Sequence, residues 1–344
     1  MKILQLGLGG FGKQHLRVWK ELGLLEDVYI ADLNSEMLKQ AEGYGISDES
    51  CGTNPDKFAS KVDIVDIVTP ADTHFALCNK YLAEGKDIFV EKPMTLTVQE
   101  AKKLAEKVEK SGRVLQVGYH WRYNDLTKML KQEINDINFG SLRYLAGDFK
   151  GFKRPRTDVG VTHSDAIHFI DLFNYLTGSR PSHAFAVMRN FMPRGSYHDN
   201  FMYDDLSVMA LEYPNGLLAR LEAGYVQPGI YSDPYVPGAM TTKTVTAVGS
   251  HKTIEIDYEG KKATAYSAMH HLKDGAWVLV NDGRKILDVP VSDPLVLEFK
   301  SFFDCVRLRG RPIADAQESV VTQTIVEAAY KSAKLKQSIN ISYE

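Results

Sequence analysis

Cysteine, net charge and long apolar runs are all scarce in this chain of 344 residues. The three cysteines, Cys51, Cys78 and Cys305, lie far apart without Cys-x-x-Cys or Cys/His spacing, so no disulfide framework and no metal site is predicted. The formal net charge of -3 lacks the basic footprint that sequence-independent binding of nucleic acid requires. No run approaches the roughly 18 apolar residues that span a membrane. The quickly glycine-rich start is unlike a signal peptide, so we expect a cytoplasmic protein.

The composition that remains is ordinary for a globular protein, with 44% hydrophobic and 25% charged residues. A chain of this length exceeds what one hydrophobic core usually fills, so two domains are expected. The pattern of elements changes near residue 122. We therefore predict a first domain at residues 1–122 and a second at residues 123–344.

The first domain opens with an apolar strand, Ile3 to Leu6, that runs into a G-x-G-x-x-G sequence at Gly7 to Gly12. A helical pattern follows, so the motif lies at a strand-to-helix turn. Glycine suits a tight turn that approaches a pyrophosphate, which the helix N-terminus then faces. The alternative is a glycine-rich turn without a ligand.

An acidic residue, Asp32, ends the second predicted strand about twenty residues beyond Gly12. A carboxylate there can bind the adenosine ribose hydroxyls and would repel a 2′-phosphate. Leu33 and Asn34 follow, with no arginine to receive that phosphate. The sequence therefore favours NAD over NADP, although Asp32 could also cap the next helix.

Strands and helices alternate through residue 118, which predicts a doubly wound parallel sheet of the Rossmann type. One buried strand, Ile88 to Val90, ends in Glu91, Lys92 and Pro93. Ligands bind outside the carboxyl ends of such strands, so Lys92 is a site candidate by position. The plainer interpretation is an exposed lysine in an ordinary loop.

The second domain has longer strands with polar and apolar residues in alternation, at 142–150, 184–190, 206–213, 217–225, 243–248 and 253–258. Pro214-Asn215-Gly216 is typical of a hairpin turn. We predict an α+β domain whose mostly antiparallel, open-faced sheet carries helices on one side. One of these helices, starting near Ser164, places His168 and Asp171 as surface neighbours, so the acid could orient the imidazole. An incidental pair on a helix surface is the alternative.

Several motifs together resemble the glucose-fructose oxidoreductase, inositol dehydrogenase and rhizopine catabolism family. They are the glycine motif with His15, Thr69-Pro70 with His74, Glu91-Lys92-Pro93, and His168-x-x-Asp171-Leu172. The resemblance spans nearly the whole chain and implies catalysis by Lys92 and His168, with a Lys92-Pro93 bond that is often cis in the family.

Two positions depart from the family pattern. Ala71 stands where many members have asparagine, so a cofactor contact there is missing or replaced. Ser164 stands where many have an aspartate four residues before the histidine. Asp165 sits only three before His168, so either a one-residue shift still brings its carboxylate into the pocket or that role is lost or reassigned, and His163 is another titratable group nearby.

The candidate residues fall into three sets. The catalytic set is Lys92, His168 and Asp165. The cofactor-binding set is Gly7, Gly9, Phe11, Gly12, Asp32, Leu33, Thr69, Pro70, His74, Glu91, Lys92, Trp121 and Arg122. The substrate set is Tyr119, His120, Lys150, His163 and Asp171, and Lys153, Arg154 and Arg156 could accept a carboxylate or nucleotide-sugar phosphate unless they form a solvated loop.

The implied reaction is hydride exchange between a nicotinamide and a carbinol carbon of a sugar, polyol or related compound. The cofactor is NAD, with NADP the less favoured alternative, and the family implies a homo-oligomer, a dimer or tetramer. Two rival classes stay open. One is another reaction on a bound nicotinamide, such as glycoside cleavage by transient oxidation or reduction of an unsaturated bond. The other is a non-catalytic NAD-sensing regulator.

Overall fold

The computed structural model describes residues 1–153, 155–192, 203–233 and 235–344. These residues form two compact units, one from residues 1–120 and 293–323 and the other from residues 121–292 and 324–344. Sequence reasoning assigned 293–323 to the second domain. The segment groups with the first unit because the ring of Phe299 lies 4.3 Å from the rings of Trp19 and Phe89, centroid to centroid.

The first unit contains a six-stranded parallel sheet in the order β3-β2-β1-β4-β5-β6. Its strands are β1 (Ile3–Leu6), β2 (Val28–Ala31), β3 (Cys51–Gly52), β4 (Ile64–Ile67), β5 (Asp87–Glu91) and β6 (Leu115–Gly118). Its helices are α1 (Gly10–Glu21), α2 (Ser35–Glu42), α3 (Asp56–Ala59), α4 (His74–Ala83) and α5 (Val98–Ser111), and α8 (Pro294–Leu308) joins them. The predicted doubly wound parallel sheet is confirmed.

Local signals explain these elements. Every residue of β1, β4 and β5 is buried, as expected for strands covered by helices on both faces. Helix α5 begins where Thr97 accepts a hydrogen bond from the Glu100 amide, as its capping-box spacing predicts. The strand order reverses between β1 and β4, so the crevice typical of such sheets opens at the carboxyl ends of these two strands.

The second unit is organised around a ten-stranded sheet in which β7 and β10 pair in parallel and the other pairs are antiparallel. The strands are β7 (Leu142–Phe152), β8 (His183–Arg189), β9 (Leu206–Glu212), β10 (Leu218–Gly224), β11 (Tyr231–Ser232), β12 (Met240–Gly249), β13 (Lys252–Asp257), β14 (Lys262–Lys273), β15 (Ala276–Leu287) and β16 (Ile339–Asn340). The helices are α6 (Asp125–Ile134), α7 (Ile167–Thr177) and α9 (Ala316–Leu335), the last of which contains the boundary between the units at residues 323 and 324. Burial alternates along β8, β9, β10 and β12, which confirms the mostly antiparallel sheet with one open face.

A long hairpin, β14 and β15, was not predicted. Strand β13 pairs with β14 only as far as Ser267, so within the described parts of the chain no third strand lies beside the rest of the hairpin on that side. Large apolar side chains are exposed there, with Trp277 at 72%, Leu279 at 62% and Leu272 at 61%.

Among the described residues, no helix combines the length and the hydrophobicity needed to cross a bilayer.

Candidate active site

The glycine motif forms the turn between β1 and α1. Gly7 has a φ of +99°, which strongly favours glycine, and a Cβ at Gly12 would overlap the carbonyl oxygen of Gly7. Helix α1 begins after Gly9 without a side-chain cap and without an acidic residue in its first turn. This close-packed turn fits an approaching pyrophosphate, whose negative charge a helix N-terminus favours.

A buried glutamine on β1 forms hydrogen bonds with the backbone of this turn. The Gln5 side chain donates hydrogen bonds of 2.9 Å to the carbonyl oxygens of Gly7 and Gly12, and it accepts one of 2.8 Å from Trp19 Nε1. Sequence reasoning missed Gln5, although a polar residue within the apolar strand Ile3–Leu6 was the available signal, since buried polar groups need partners.

Asp32 follows β2 and contacts the same turn. Its Oδ2 accepts a 2.7 Å hydrogen bond from the Leu8 amide, and its Oδ1 accepts one of 2.8 Å from the Asn34 amide. Asn34 is the residue that caps α2, through a bond from Glu36 N. Asp32 therefore does not cap that helix, and its carboxylate lies beside the glycine turn, while Leu33 is 92% exposed.

His74 connects the loops that follow β4 and β5. Its Nδ1 lies 2.7 Å from the carbonyl oxygen of Pro93, and its Nε2 lies 3.0 Å from that of Thr69. Pro70 separates Thr69 from the short 3-10 turn that contains Ala71. His74 thus ties together two of the predicted cofactor segments at the carboxyl edge of the sheet.

Lys92 directly follows β5 at that edge, and the Lys92-Pro93 peptide bond is cis, as the resemblance implied. Its backbone amide donates to Oε2 of Glu91 at 3.2 Å. The Glu91 carboxylate also lies against Gly118, where a Cβ would overlap it. The peptide that carries Lys92 is therefore fixed by a buried carboxylate.

Tyr119 and His120 follow β6, the strand beside β5, and both are buried. The His120 ring lies 6.3 Å from that of Phe11, in the first turn of α1. Glu91, Phe11 and His120 thus lie in one region of the first unit.

In the second unit, His168 packs against an aromatic ring from a distant part of the sequence. The His168 and Trp121 rings are stacked with centroids 4.8 Å apart and planes 22° apart. Tyr258 stacks on Trp121 at 5.0 Å. Trp121, predicted as a cofactor residue, therefore lies against the candidate base and defines the plane of its ring.

Asp171 pairs with an arginine that lies 49 residues earlier in the chain. Its carboxylate receives hydrogen bonds from Arg122, at 2.8 Å from Nε and 2.6 Å from Nη2, and both side chains are 2% exposed. Arg122 and Asp171 thus form a buried, two-point ion pair that anchors α7 to the segment after Trp121.

Asp165 lies in a π-helical turn, Thr162–Ala166, which leads into α7. Its Oδ2 is 2.7 Å from Nζ of Lys153, and both side chains are largely buried. Sequence reasoning predicted a regular helix from Ser164 and missed this turn. Such π-helical insertions occur frequently at functional sites.

The other predicted substrate residues take different positions. His163 Nδ1 lies 3.1 Å from the Tyr330 hydroxyl, which donates to Asp204 at 3.2 Å. Burial raises the pKa of Asp204 to about 7, although hydrogen bonds from Thr162 oppose this. Lys150 lies in β7 on the opposite face from Phe149, because side chains alternate along a strand. The Phe149 ring stacks on Trp121, which also contacts His168, so the Lys150 side chain points away from that aromatic cluster.

The basic segment near residue 153 is paired with acids where the structure describes it. Lys153 binds Asp165, and Arg156 makes a two-point contact with Asp158, at 2.8 Å and 2.5 Å. Arg154 lies outside the described residues. These carboxylates neutralise Lys153 and Arg156, two of the three basic residues considered as a binding site for an anion.

Comparison with known proteins matches the chain to two family models. Residues 1–119 match an oxidoreductase family with an NAD-binding Rossmann fold, and residues 131–341 match the C-terminal alpha/beta domain of the same family. The chain belongs to the glucose-fructose oxidoreductase, inositol dehydrogenase and rhizopine catabolism family. It is thus an oxidoreductase, and its glycine turn and Asp32 fit the dinucleotide that this family binds.

Individual relatives agree with this membership. The UDP-N-acetylglucosamine 3-dehydrogenase of Acidithiobacillus ferrooxidans is 31% identical over 185 residues, which cover 53% of this chain and 56% of that relative's length. The scyllo-inositol 2-dehydrogenase (NAD(+)) of Bacillus subtilis is 25% identical over 284 residues, covering 79% of this chain and 75% of its own. A solved structure of levoglucosan dehydrogenase with NADH and levoglucosan superposes with a TM-score of 0.80 at 19% identity, covers 99% of both chains, and shows the shared fold.

Proposed function

We propose that this family member is an NAD-dependent dehydrogenase that exchanges a hydride with a carbinol or carbonyl carbon of a sugar, polyol or sugar derivative. The observation that carries the proposal is the position of Lys92, fixed through Glu91 at the carboxyl end of β5, next to the strand that borders the crevice. The names of the relatives, which include inositol and levoglucosan dehydrogenases, support this substrate class.

The cofactor would be held by the glycine turn and Asp32. The turn provides a helix N-terminus for the pyrophosphate, and Asp32 accepts hydrogen bonds from the adenosine ribose. Phe11, Thr69, Pro70, His74, Glu91, Trp121 and Arg122 belong to the same proposed set. When bound, the nicotinamide supplies the redox chemistry by accepting or returning hydride at its C4 carbon.

The remaining chemistry is a proton transfer at the substrate hydroxyl. His168 takes this proton on an imidazole nitrogen, since a base with a pKa near neutrality is efficient at physiological pH. Its ring plane is fixed by stacking on Trp121. Lys92 donates a hydrogen bond from Nζ to the same oxygen and stabilises the developing alkoxide.

The substrate class we favour is neutral. Of the three basic residues considered as an anion site, the two that the structure describes, Lys153 and Arg156, are both paired with carboxylates. Asp165 is paired with Lys153, and we propose that Lys153 orients the Asp165 carboxylate to accept hydrogen bonds from substrate hydroxyls. Tyr119, His120 and His163 are further proposed substrate-binding residues.

The test is a panel of neutral polyols, sugars, sugar acids and nucleotide sugars, assayed with NAD and with NADP for formation of the reduced cofactor. We expect net NADH formation with a neutral substrate. On that substrate, Lys92→Ala or His168→Ala should lower kcat by ~10²-fold or more, with the NAD dissociation constant largely kept. Lys110→Ala, a change at a 78% exposed lysine, and His270→Ala, at an exposed histidine, are matched controls.

Contrary outcomes of the panel identify the rival classes. Product release without net NADH formation would indicate glycoside cleavage by transient oxidation. Cofactor binding with no reaction on any substrate, unchanged in Lys92→Ala, would indicate an NAD-sensing regulator. A preference for sugar acids or nucleotide sugars would contradict the neutral pocket.

We also propose a cytoplasmic homo-oligomer that associates through the open face of the large sheet. The apolar side chains exposed on its strands include Phe185 at 42%, Val187 at 38% and Leu218 at 50%. Exposed apolar patches of this kind often mark protein interfaces. Sedimentation velocity should show a dimer or tetramer, and Phe185→Lys should shift it toward monomer, whereas a monomeric wild type would contradict the proposal.

A further inference from the structure

A histidine that the proposed mechanism does not use lies completely buried near Lys92, within the first unit. His15, on α1, has its Nδ1 2.9 Å and 3.1 Å from the two carboxylate oxygens of Asp66, on β4. Its Nε2 lies 3.4 Å from Oε1 of Glu91, at the end of β5. One imidazole thus connects two buried carboxylates on neighbouring strands.

The charges of this cluster favour a cation between the two acids. Asp66 is 0% and Glu91 is 6% exposed, and two buried carboxylates without compensation would be costly. A doubly protonated imidazole carries a proton on each nitrogen and so faces each carboxylate with a donor. Burial alone would lower the pKa of His15, but the charges of Asp66 and Glu91 and the hydrogen bond with Asp66 raise it to about 9.

The same charges act on Glu91. Burial would raise its pKa, yet His15, Lys92 and His120 together hold it below its usual range. Four aromatic rings also pack on the imidazole, with centroids between 5.0 Å and 6.4 Å away. These rings are Phe11 and Trp19 from α1, Phe89 from β5 and Phe299 from α8.

The second oxygen of Glu91 extends the connection to the proposed reacting lysine. Oε2 accepts the Lys92 amide hydrogen, and Gly118 of β6 leaves room for the carboxylate where any side chain would collide. Glu91 is therefore held by His15 on one side and holds the Lys92 peptide on the other. A change in the charge of His15 therefore alters the electrostatic environment of the Glu91 carboxylate, which holds the Lys92 amide.

We propose that His15 is a positioning residue: as an imidazolium clamped between Asp66 and Glu91, it fixes the backbone from which Lys92 extends. The inference rests on the proposed function only for the role of Lys92 in turnover. The clamp itself is a property of the folded chain.

The clamp is tested without any substrate by nuclear magnetic resonance on the full chain. Labelling with 15N-histidine reports the protonation of the His15 ring, assigned by its loss in His15→Gln, and 15N-lysine labelling reports the Lys92 amide, assigned by its loss in Lys92→Arg. We expect a doubly protonated ring at pH 7 and a Lys92 amide shift that follows the deprotonation of His15 at high pH. Glu91→Gln should abolish this coupling. A neutral ring at pH 7, or an amide indifferent to it, would overturn the proposal.

Kinetics then separates positioning from simple packing. We expect the kcat of the wild type to fall at high pH, where His15 loses its proton. Asp66→Asn removes one of the two carboxylates, so this fall should begin at a lower pH. His15→Gln should lower kcat about 10-fold or more, because Lys92 is misplaced. Phe299→Leu alters packing on the same ring without changing its charge and should leave the pH profile unchanged. Profiles that move equally in Asp66→Asn and Phe299→Leu would refute a charge-dependent role. If no substrate reacts, the proposed function fails while the coupled titration still decides the clamp.

Discussion

Removing one member of the Arg122–Asp171 pair should destabilise the second unit strongly. Both side chains are 2% exposed and joined at two points, so Asp171→Asn leaves a guanidinium buried without its counter-charge. Breaking such a pair costs about 3–5 kcal/mol. For a unit of this size, each kcal/mol lowers the melting temperature by about 2–4 °C, so a fall of roughly 6–20 °C is expected.

The assay is differential scanning calorimetry, because two compact units can unfold in separate transitions. Lys252→Gln is the control, since it breaks an ion pair of the same unit in which Lys252 and Glu133 are 21% and 29% exposed. A pair of that kind is worth about 0–1 kcal/mol. The double variant Arg122→Met/Asp171→Leu removes both charges and should recover most of the lost stability.

Either of two results would refute this reasoning. If Asp171→Asn shifts the transition no more than Lys252→Gln does, the buried pair contributes no more than a surface pair. If the double variant is as unstable as Asp171→Asn, the loss comes from packing and not from an uncompensated charge.

Three further predictions concern the first unit. Gly12→Ala should weaken NADH binding at least tenfold by fluorescence titration, because the added methyl overlaps the Gly7 carbonyl; an unchanged affinity would contradict the tight turn. Thr97→Ala should cost about 1 kcal/mol in urea unfolding through loss of the α5 cap, and a cost near zero would show that the cap contributes nothing. The pKa of His15 is raised from 6.5 to about 9 in the folded protein, so the stability that the charged imidazole contributes is complete below pH 6.5 and is lost as pH rises through about 9. The unfolding free energies of wild type and His15→Gln should therefore converge near pH 9. A difference between them that stays constant with pH would refute the assignment.

Most of the first unit could be predicted from sequence because its signals are local. Its strands are short apolar runs between turn residues, and its helices carry their own periodicity, so the parallel sheet and the location of Lys92 followed. The segment 293–323 could not be assigned in this way, because the packing of Phe299 on Trp19 and Phe89 joins residues about 200 or more positions apart.

The second unit was less predictable for physical reasons. Helical spacing placed His168 and Asp171 as neighbours on one helix surface, but it could not reveal the contact of Asp171 with Arg122, 49 residues away. The π-helical turn at Asp165 depends on tertiary packing and leaves no simple periodic mark. The hairpin β14–β15 did leave one, since Asp274-Gly275 takes positive φ angles of 52° and 79° between two strands, and that turn signal was overlooked.

That hairpin also gives the protein an internal optical reporter. Of the three tryptophans, Trp19 and Trp121 are buried, at 1% and 5%, whereas Trp277 is 72% exposed. Its emission should be the red-shifted component of the fluorescence and the one that iodide quenches. Protection of this component as protein concentration rises would show that the hairpin becomes covered on self-association, and quenching that is independent of concentration would show that it stays in contact with water.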